Sequence, residues 1–353
     1  MKKFLSMLLV LVLTLSMGTV AFAVGETDMS QVDITIKYTA TNTGTTSPVE
    51  TLKFNAASNG VTDGQGHTVT TTQPTLTVPD VQLSQGLAGN PTAEEAKLTI
   101  TLPAIGGNNG FQTVGVYEYT ITPNPGTSGG VTYHMNPIKL YVTVIQKDNN
   151  QLRIAAVHAE QHGSYGSEGK SNDINMTYSA GQLKVSKTVT GNMGERDKYF
   201  KVTVTLNGES GKTYPEAGYT VTGGTKITDG TTDATTSTIT IGEPKDFYLK
   251  NDETIAIQNL PYGVTYTVAE ADYTGNNGGY DAAAYVYSDT ADGEADGSRK
   301  IDKAEETVTI TNNKGIDVDT GIGLDSLPYI VMLAFVVIGL TVFFVKRRTA
   351  REN

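Results

Sequence analysis

The stretch Leu183-Lys184-Val185-Ser186-Lys187-Thr188-Val189, "LKVSKTV", decides the fold. Its β-branched residues alternate strictly and Gly191-Asn192 closes the run, a pattern that predicts a β-strand. Alternate side chains of a strand share a face, so Leu183, Val185, Lys187 and Val189 point one way. Lys184 can sit in water, but Lys187 points where a core belongs. The same anomaly recurs twice downstream. In "YTVAE", Tyr266, Val268 and Glu270 share a face, and in "VTITN", Val308, Ile310 and Asn312 do.

Lys and Glu are almost never fully buried unless paired. One account leaves these strand ends half exposed, with all three side chains reaching solvent. A second makes Lys187 and Glu270 a buried ion pair, which stabilises little. A third is chemical. Desolvation lowers a lysine pKa and raises a glutamate pKa, favouring a neutral amine and a neutral acid. A neutral amine is a nucleophile, the carboxamide carbon of Asn312 is an electrophile, and a protonated Glu270 can polarise its oxygen. The product would be a Lys187–Asn312 isopeptide bond with ammonia released, a single event without turnover.

The alternating rhythm extends outward from this stretch. No long segment between residues 24 and 316 holds a helical period. Runs near Val32–Thr39, Val49–Phe54, Thr75–Val78, Lys97–Leu102, Gly115–Ile121, Ile138–Ile145, Leu152–Val157 and Asp173–Tyr178 read as strands in the first half. Leu183–Val189, Phe200–Leu206, Tyr219–Thr222, Thr236–Ile241, Thr254–Ile257, Tyr266–Glu270, Ala284–Tyr287 and Thr307–Asn312 do so in the second. This spacing predicts an all-β chain of two tandem β-sandwiches joined at Ser179-Ala180-Gly181. The chain has no cysteine, which excludes disulfides, thiolate metal sites and cysteine nucleophiles. Its net charge of −11 argues against nucleic acid as a partner.

Both ends carry targeting patterns. Lys2-Lys3, an apolar run from Met7 to Leu15 and Ala21-Phe22-Ala23 read as a signal peptide over residues 1–23, with a retained N-terminal anchor as the alternative. Leu327 to Val345 is almost wholly apolar and is followed by Lys346-Arg347-Arg348 and Arg351. That run is long enough to cross a bilayer, and the basic cluster keeps the tail cytoplasmic. The middle of the chain is therefore expected outside the cell, at its surface.

"LKVSKTVTGNMGERDKYFKVTVTL", "LPYGVTYTVAEADY" and "VTITNNK" resemble the isopeptide-forming domain of Gram-positive, streptococcal-type backbone pilins, related to Ig-like collagen-adhesin B-type domains. The resemblance implies that Lys187 joins Asn312 with Glu270 assisting. "FQTVGVYEYTI", "GVTY" and "KLYVTVIQ" resemble the N-terminal domain of the same pilins, with the reactive slots altered. Tyr117, Tyr119 and Ile121 are core-side, Pro123 stands at the glutamate position, and Met176 stands at the asparagine position. Asn175 and Lys37 lie one residue off, on the outward faces of their strands, and a one-residue offset flips a side chain across the sheet. The first half is expected to form no internal cross-link; a Lys37–Asn175 bond is the alternative.

Val318-Asp319-Thr320-Gly321, ahead of the apolar run and basic tail, is similar to a sortase sorting signal, with Asp319 where such signals carry proline. The resemblance implies cleavage between Thr320 and Gly321 and transfer to peptidoglycan precursor or to another pilin subunit; an ordinary single-pass anchor is the alternative. Lys170, in "GSYGSEGKSND", sits where related pilins carry their linking lysine, or is a plain loop lysine. "GSEGKS" fails the P-loop spacing. His158 and His162 are four apart but lie in strand and loop, so no metal and no cofactor is expected. The organisation read is residues 1–23 signal peptide, 24–180 first sandwich, 181–315 isopeptide-forming sandwich and 316–353 sorting segment. The function read is a wall-anchored, pilin-like structural surface protein and not an enzyme. The alternative is a monomeric adhesin with a host ligand, held in the membrane by its C-terminal helix.

Overall fold

The computed structural model describes residues 28–84, 86, 94–147, 149–161, 173–288, 299–316 and 327–352. The expected signal peptide, Lys170 with His162, and Thr320 with Gly321 fall outside the described residues.

The chain is built of strands. The first half contains β1 (Gln31–Ala40), β2 (Glu50–Thr62), β3 (Val81–Leu83), β4 (Glu94–Thr101), β5 (Gly115–Asn124), β6 (Val131–His134), β7 (Ile138–Gln146), β8 (Leu152–Gln161) and β9 (Ile174–Tyr178). The second contains β10 (Ala180–Thr190), β11 (Phe200–Asn207), β12 (Tyr219–Gly223), β13 (Thr236–Ile239), β14 (Lys245–Leu249), β15 (Thr254–Pro261), β16 (Thr265–Glu270), β17 (Ala284–Tyr287), β18 (Arg299–Lys300) and β19 (Glu305–Asn313). The period of two predicted from the sequence is visible in burial. Along β1, Val32, Ile34, Ile36, Tyr38 and Ala40 are buried while the residues between them are not.

Two pairs of sheets enclose two hydrophobic cores. In the first half the sheets run β4-β1-β9-β6 and β3-β2-β5-β7-β8; in the second they run β13-β12-β15-β10-β19-β17 and β14-β11-β16-β18. One core gathers residues from Val32 to Ala180 and the other from Leu183 to Ile310. Among the described strands, pairing is antiparallel except at two places, β1 with β9 and β10 with β19. In each half, then, the first and last strands lie side by side and run the same way.

Differences from the sequence reading have local causes. Thr75–Val78 is extended but pairs with no strand, although Leu76 is buried. Pro74 and Pro79 bracket it, and proline removes ladder donors. Val81–Leu83 takes the edge position instead, against β2. Strand β2 extends to Thr62, well past Phe54, by pairing with β5 through a register shift between Ser58 and Gly60. Strands β6, β14 and the two-residue β18 are additional to those the sequence reading predicts.

Ser179 alone separates β9 from β10. Hydrogen bonds clamp this joint on several sides. Asn42 Nδ2 donates to the Ala180 carbonyl and to Tyr262 Oη, both at 2.7 Å. Asn259 Oδ1 accepts from Thr46 N at 2.9 Å while its Nδ2 donates to Thr46 O at 2.8 Å. Elsewhere Gly129 N donates to Thr213 O at 3.0 Å and Thr213 N to Thr127 O at 2.8 Å. The helix α1 (Leu327–Glu352) starts where the apolar run starts and continues through the basic cluster, with its apolar side chains uncovered by protein.

Just past the joint, a Cβ on Gly181 would meet the Lys303 carbonyl oxygen at 2.2 Å. Backbone cannot yield as a side chain can. Gly181→Ala is expected to destabilise the second half by about 1–3 kcal/mol, an overpacking cost, read as a lower midpoint in urea unfolding; an unchanged midpoint would contradict this packing.

Candidate cross-linking site

The parallel pairing of β10 with β19 sets Lys187 opposite Ile310 and Val189 opposite Asn312. Lys187 and Asn312 are therefore diagonal neighbours on the core face of one sheet. Glu270 ends β16 in the facing sheet, beside Val202 of β11. The trio thus comes from both layers and meets at one end of the sandwich. The Lys187 and Glu270 side chains are 0% and 1% exposed, and Asn312 is 1% exposed. The half-exposed strand-end account is overturned: alternation carried these polar groups into the core.

Lys187 Nζ donates to Asn312 Oδ1 at 2.7 Å and to the Thr188 carbonyl at 2.9 Å, with the Ile310 carbonyl at 3.4 Å. Glu270 Oε1 stands 3.7 Å from Nζ. Among the described residues no donor reaches either Glu270 oxygen at full hydrogen-bond geometry, so the carboxyl is held short of partners. Burial pulls the Lys187 amine down to about 8, against the opposing pull of Glu270. Burial pushes the Glu270 carboxyl up, opposed by Lys187, the Asn312 amide and Lys198. Both directions favour the uncharged forms. The ring of Phe200 closes one side of the amine, 4.4 Å from Nζ, and packs with Val189 and Tyr280 in a small apolar cluster.

Two residues were not singled out from the sequence, Glu306 at the opposite end of β19 and Lys198 beside the trio. Glu306 is fully buried on the same face of β19 as Val308, Ile310 and Asn312. Ser288 Oγ donates to its Oε2 at 2.6 Å, Lys303 lies 3.4 Å from Oε1, and burial pushes its carboxyl up. Strand parity alone would have found it. Lys198, over the rings of Phe200, Tyr273 and Tyr280, carries no such signal, because it precedes β11 and two of its three partners come from a loop.

In the first half, Ile36 and Tyr38 fill the core side of β1 while Met176 fills that of β9, all buried. Lys37 pairs in register with Asn175 on the outer face, and its Nζ contacts Asp173 Oδ2 at 2.6 Å. Asn175 is exposed and Pro123 faces Phe54 across β2 and β5. No dry Lys–Glu–Asn trio is assembled among these residues. His158 stacks on Tyr141 and lies 3.3 Å from Glu160 on β8. Lys170, Thr320 and Gly321 lie outside the described residues.

Residues 181–314 match a family described as a domain of unknown function, DUF7601. A protein named Pilin from Streptococcus pyogenes serotype M1 is 29% identical over 248 residues, spanning 68% of this chain and 69% of that one. The pilus tip adhesin Cpa of Streptococcus pyogenes is 29% identical over 151 residues, 41% of this chain but 18% of its own length. The solved T-13 major pilin of Streptococcus pyogenes has the same fold, with a TM-score of 0.50 at 19% identity, covering 82% of this chain and 98% of that one. A mutant of a major pilin from the same organism matches at TM-score 0.50 and 19% identity, over 81% and 99%. By sequence and fold, this chain is a pilin-like structural surface protein, similar to the major pilins of Streptococcus pyogenes.

Proposed function

We propose that the chain is a subunit of a covalent surface fibre, strengthened by a self-made Lys187–Asn312 isopeptide bond and joined to its neighbours by a sortase. The observation that carries this reading is the dry contact of Lys187 Nζ with Asn312 Oδ1 at 2.7 Å beside an under-partnered Glu270. The neutral amine attacks Cγ of Asn312 while Glu270 protonates Oδ1. The carboxylate then takes the excess proton from Nζ and returns it to the leaving nitrogen. One C–N bond forms, one breaks, ammonia departs, and the Oδ1 proton returns to the Glu270 carboxylate as the carbonyl reforms. Fixed contact supplies an effective concentration of about 10⁵–10⁸ M, and Glu270 ends as it began.

The charged pair and the neutral pair hold the same number of protons. Acidity of the medium does not choose between them; burial does. The reaction is fastest between the two apparent pKa values of the coupled pair and slows outside them.

In the proposed processing, residues 1–23 are removed, residues 24–180 and 181–315 form two sandwiches, and α1 holds the chain in the membrane until sortase cuts after Thr320. The acyl group passes to Lys170 of another subunit or to peptidoglycan precursor. Asp319 then helps decide which sortase acts. Similarity to a pilus tip adhesin favours a second reading, a monomeric adhesin displaying a host-ligand site.

Three outcomes test these readings. The exported fragment is expected to weigh one ammonia less than its sequence, and Glu270→Gln to keep the full mass. Loss of two ammonia molecules would place a second bond in the first half. The bond closes a separation of 125 residues, so Glu270→Gln should lose up to about 5 kcal/mol of stability by loop entropy, read by denaturant unfolding.

Asn312→Ala leaves Lys187 and Glu270 unreacted. The raised carboxyl contributes stability at low pH that is lost as pH rises through its folded value. The lowered amine means that between about 8 and about 10.4 the unfolded chain binds more protons, so stability climbs again. The expected curve for this variant has a minimum between those windows; a flat curve would show that the pair is not desolvated.

Wall fractions boiled in detergent should give a ladder for a polymer, erased by Lys170→Ala. A single band from the parent protein would favour the adhesin.

A further inference from the structure

The loop from Ala271 to Ala283 follows Glu270 directly and lies over the end of the sandwich that holds the trio. Its two tyrosines pack edge-on against Phe200, with ring centroids 4.9 Å away for Tyr273 and 5.3 Å for Tyr280. Each hydroxyl is anchored outside the loop. Tyr273 Oη accepts from Lys201 N at 2.8 Å and Tyr280 Oη from Glu195 N at 3.0 Å. The loop is tied across itself by Tyr280 N donating to Tyr273 O at 3.1 Å.

Lys198 Nζ sits 4.8 Å from the Tyr273 ring, 5.3 Å from Tyr280 and 5.6 Å from Phe200. One ammonium is thus shared by three faces, within the range where a ring attracts a cation. The loop backbone passes close to it, since a Cβ on Gly278 would lie 3.4 Å from Nζ. The same Phe200 ring also meets the reactive Lys187 amine, 4.4 Å from its centroid. Phe200 and Tyr280 are buried, at 0% and 3% exposure, whereas Lys198 itself is half-buried. A half-buried cation and the dry trio thus share one aromatic residue, Phe200.

We propose that Lys198 is a positioning residue for the Lys187–Asn312 cross-link, its ammonium latching the Ala271–Ala283 loop over the trio and keeping water out while the bond forms. This rests on the cross-linking reading above. Water admitted to the chamber would recharge the amine and the acid and solvate the nucleophile. The latch acts once, between packing of the sheets and bond formation.

Lys198 also exerts its charge on Glu270, and burial together with the Glu270 charge in turn pushes the hydroxyls of Tyr273 and Tyr285 up. Lys314 and Glu195 lie at the outer edge, 3.5 Å apart. A direct charge effect and a latch differ in sign. Deleting a nearby cation raises the apparent pKa of both the acid and the amine. Opening the chamber to water lowers the acid and raises the amine, so the two limbs of the rate profile spread apart.

The experiment refolds the exported fragment from denaturant over a series of pH values and follows ammonia loss by intact mass. Parent, Lys198→Met, Lys198→Arg and Glu270→Gln are compared. Lys198→Met is expected to cross-link about tenfold more slowly or worse, as misplaced or wetted reactants do, with the limbs spread apart. Lys198→Arg, which also sits on aromatic faces, should return to within about threefold of the parent. A second measurement is independent of the reaction. In a Glu270→Gln background, hydrogen exchange at the Tyr280 and Asn277 amides should speed up when Lys198 becomes Met. A parent rate in Lys198→Met, limbs that rise together, or unchanged exchange would each overturn the latch. A parent fragment of full mass would overturn the cross-link itself, while the exchange comparison would still report on the loop.

Discussion

The structure depends on the in-register parallel pairing of β10 with β19. Gln182 to Thr190 lie against Glu305 to Asn313 without a break. That register alone sets Asn312 diagonal to Lys187; a slip of one residue would send one of them to the outer face. Glu270 arrives from the other sheet, so the trio exists only when both layers have packed. The proposed chemistry is therefore a consequence of folding and waits for it. A buried ion pair at best offsets its own desolvation, because two charges have left water for one mutual attraction. The proposed bond, by turning amine and carboxamide into a secondary amide, would relieve that electrostatic conflict.

The first half keeps the topology and drops the conflict. Strand β1 lies parallel to β9 just as β10 lies parallel to β19. The corresponding core side holds Ile36, Tyr38 and Met176, apolar or bearing a hydroxyl that finds a partner. Tyr38 donates to Glu50 at 3.1 Å, Tyr119 to the Pro74 carbonyl at 2.9 Å, and Tyr117 to the Thr113 carbonyl at 2.9 Å. A core can accept a complete reactive trio or none. One buried lysine without its acid and amide would leave an uncompensated charge, the costliest of the alternatives. Moving lysine and asparagine to Lys37 and Asn175, where solvent and Asp173 receive them, is consistent with that rule.

Strand parity made most of this legible in the sequence. Counting by twos from Leu183, Tyr266 and Val308 reaches Lys187, Glu270 and Asn312, and the structure buries all three. Parity also sends Lys37 outward and Met176 inward, as found. It failed where the backbone, not the side-chain pattern, decides. Prolines kept Thr75–Val78 out of a sheet, and a bulge let β2 run on to Thr62. The aromatic wall of Phe200, Tyr273 and Tyr280 was invisible because two of its rings come from a loop with no period. Glu306 follows the same count but lies one residue before Thr307, where the alternation read from the sequence begins, while β19 itself starts at Glu305.

The path of tension explains why the proposed bond sits where it does. The chain enters β10 at Ala180, straight from β9 through Ser179, and leaves β19 at Asn313. The two strands are parallel and are pulled from opposite ends, so their ladder is loaded in shear. Its hydrogen bonds are worth only about 1 kcal/mol each in net terms. Lys187 and Asn312 lie near the exit ends of their strands. A covalent link there carries force along β10 from Ala180 to Lys187, across to Asn312 and out. The intervening residues 188–311, which hold most of the second core, are then bypassed and feel no pull. In a fibre joined at Lys170, tension would likewise enter just before β9 and pass down its five residues into β10. Strands β1 to β8 would lie off that path. A half whose strands are bypassed has less need of an internal cross-link, and the joint becomes the critical element. The Asn42 and Asn259 hydrogen bonds tie the segment after β1 to Ala180, Tyr262 and β15, and so brace that joint.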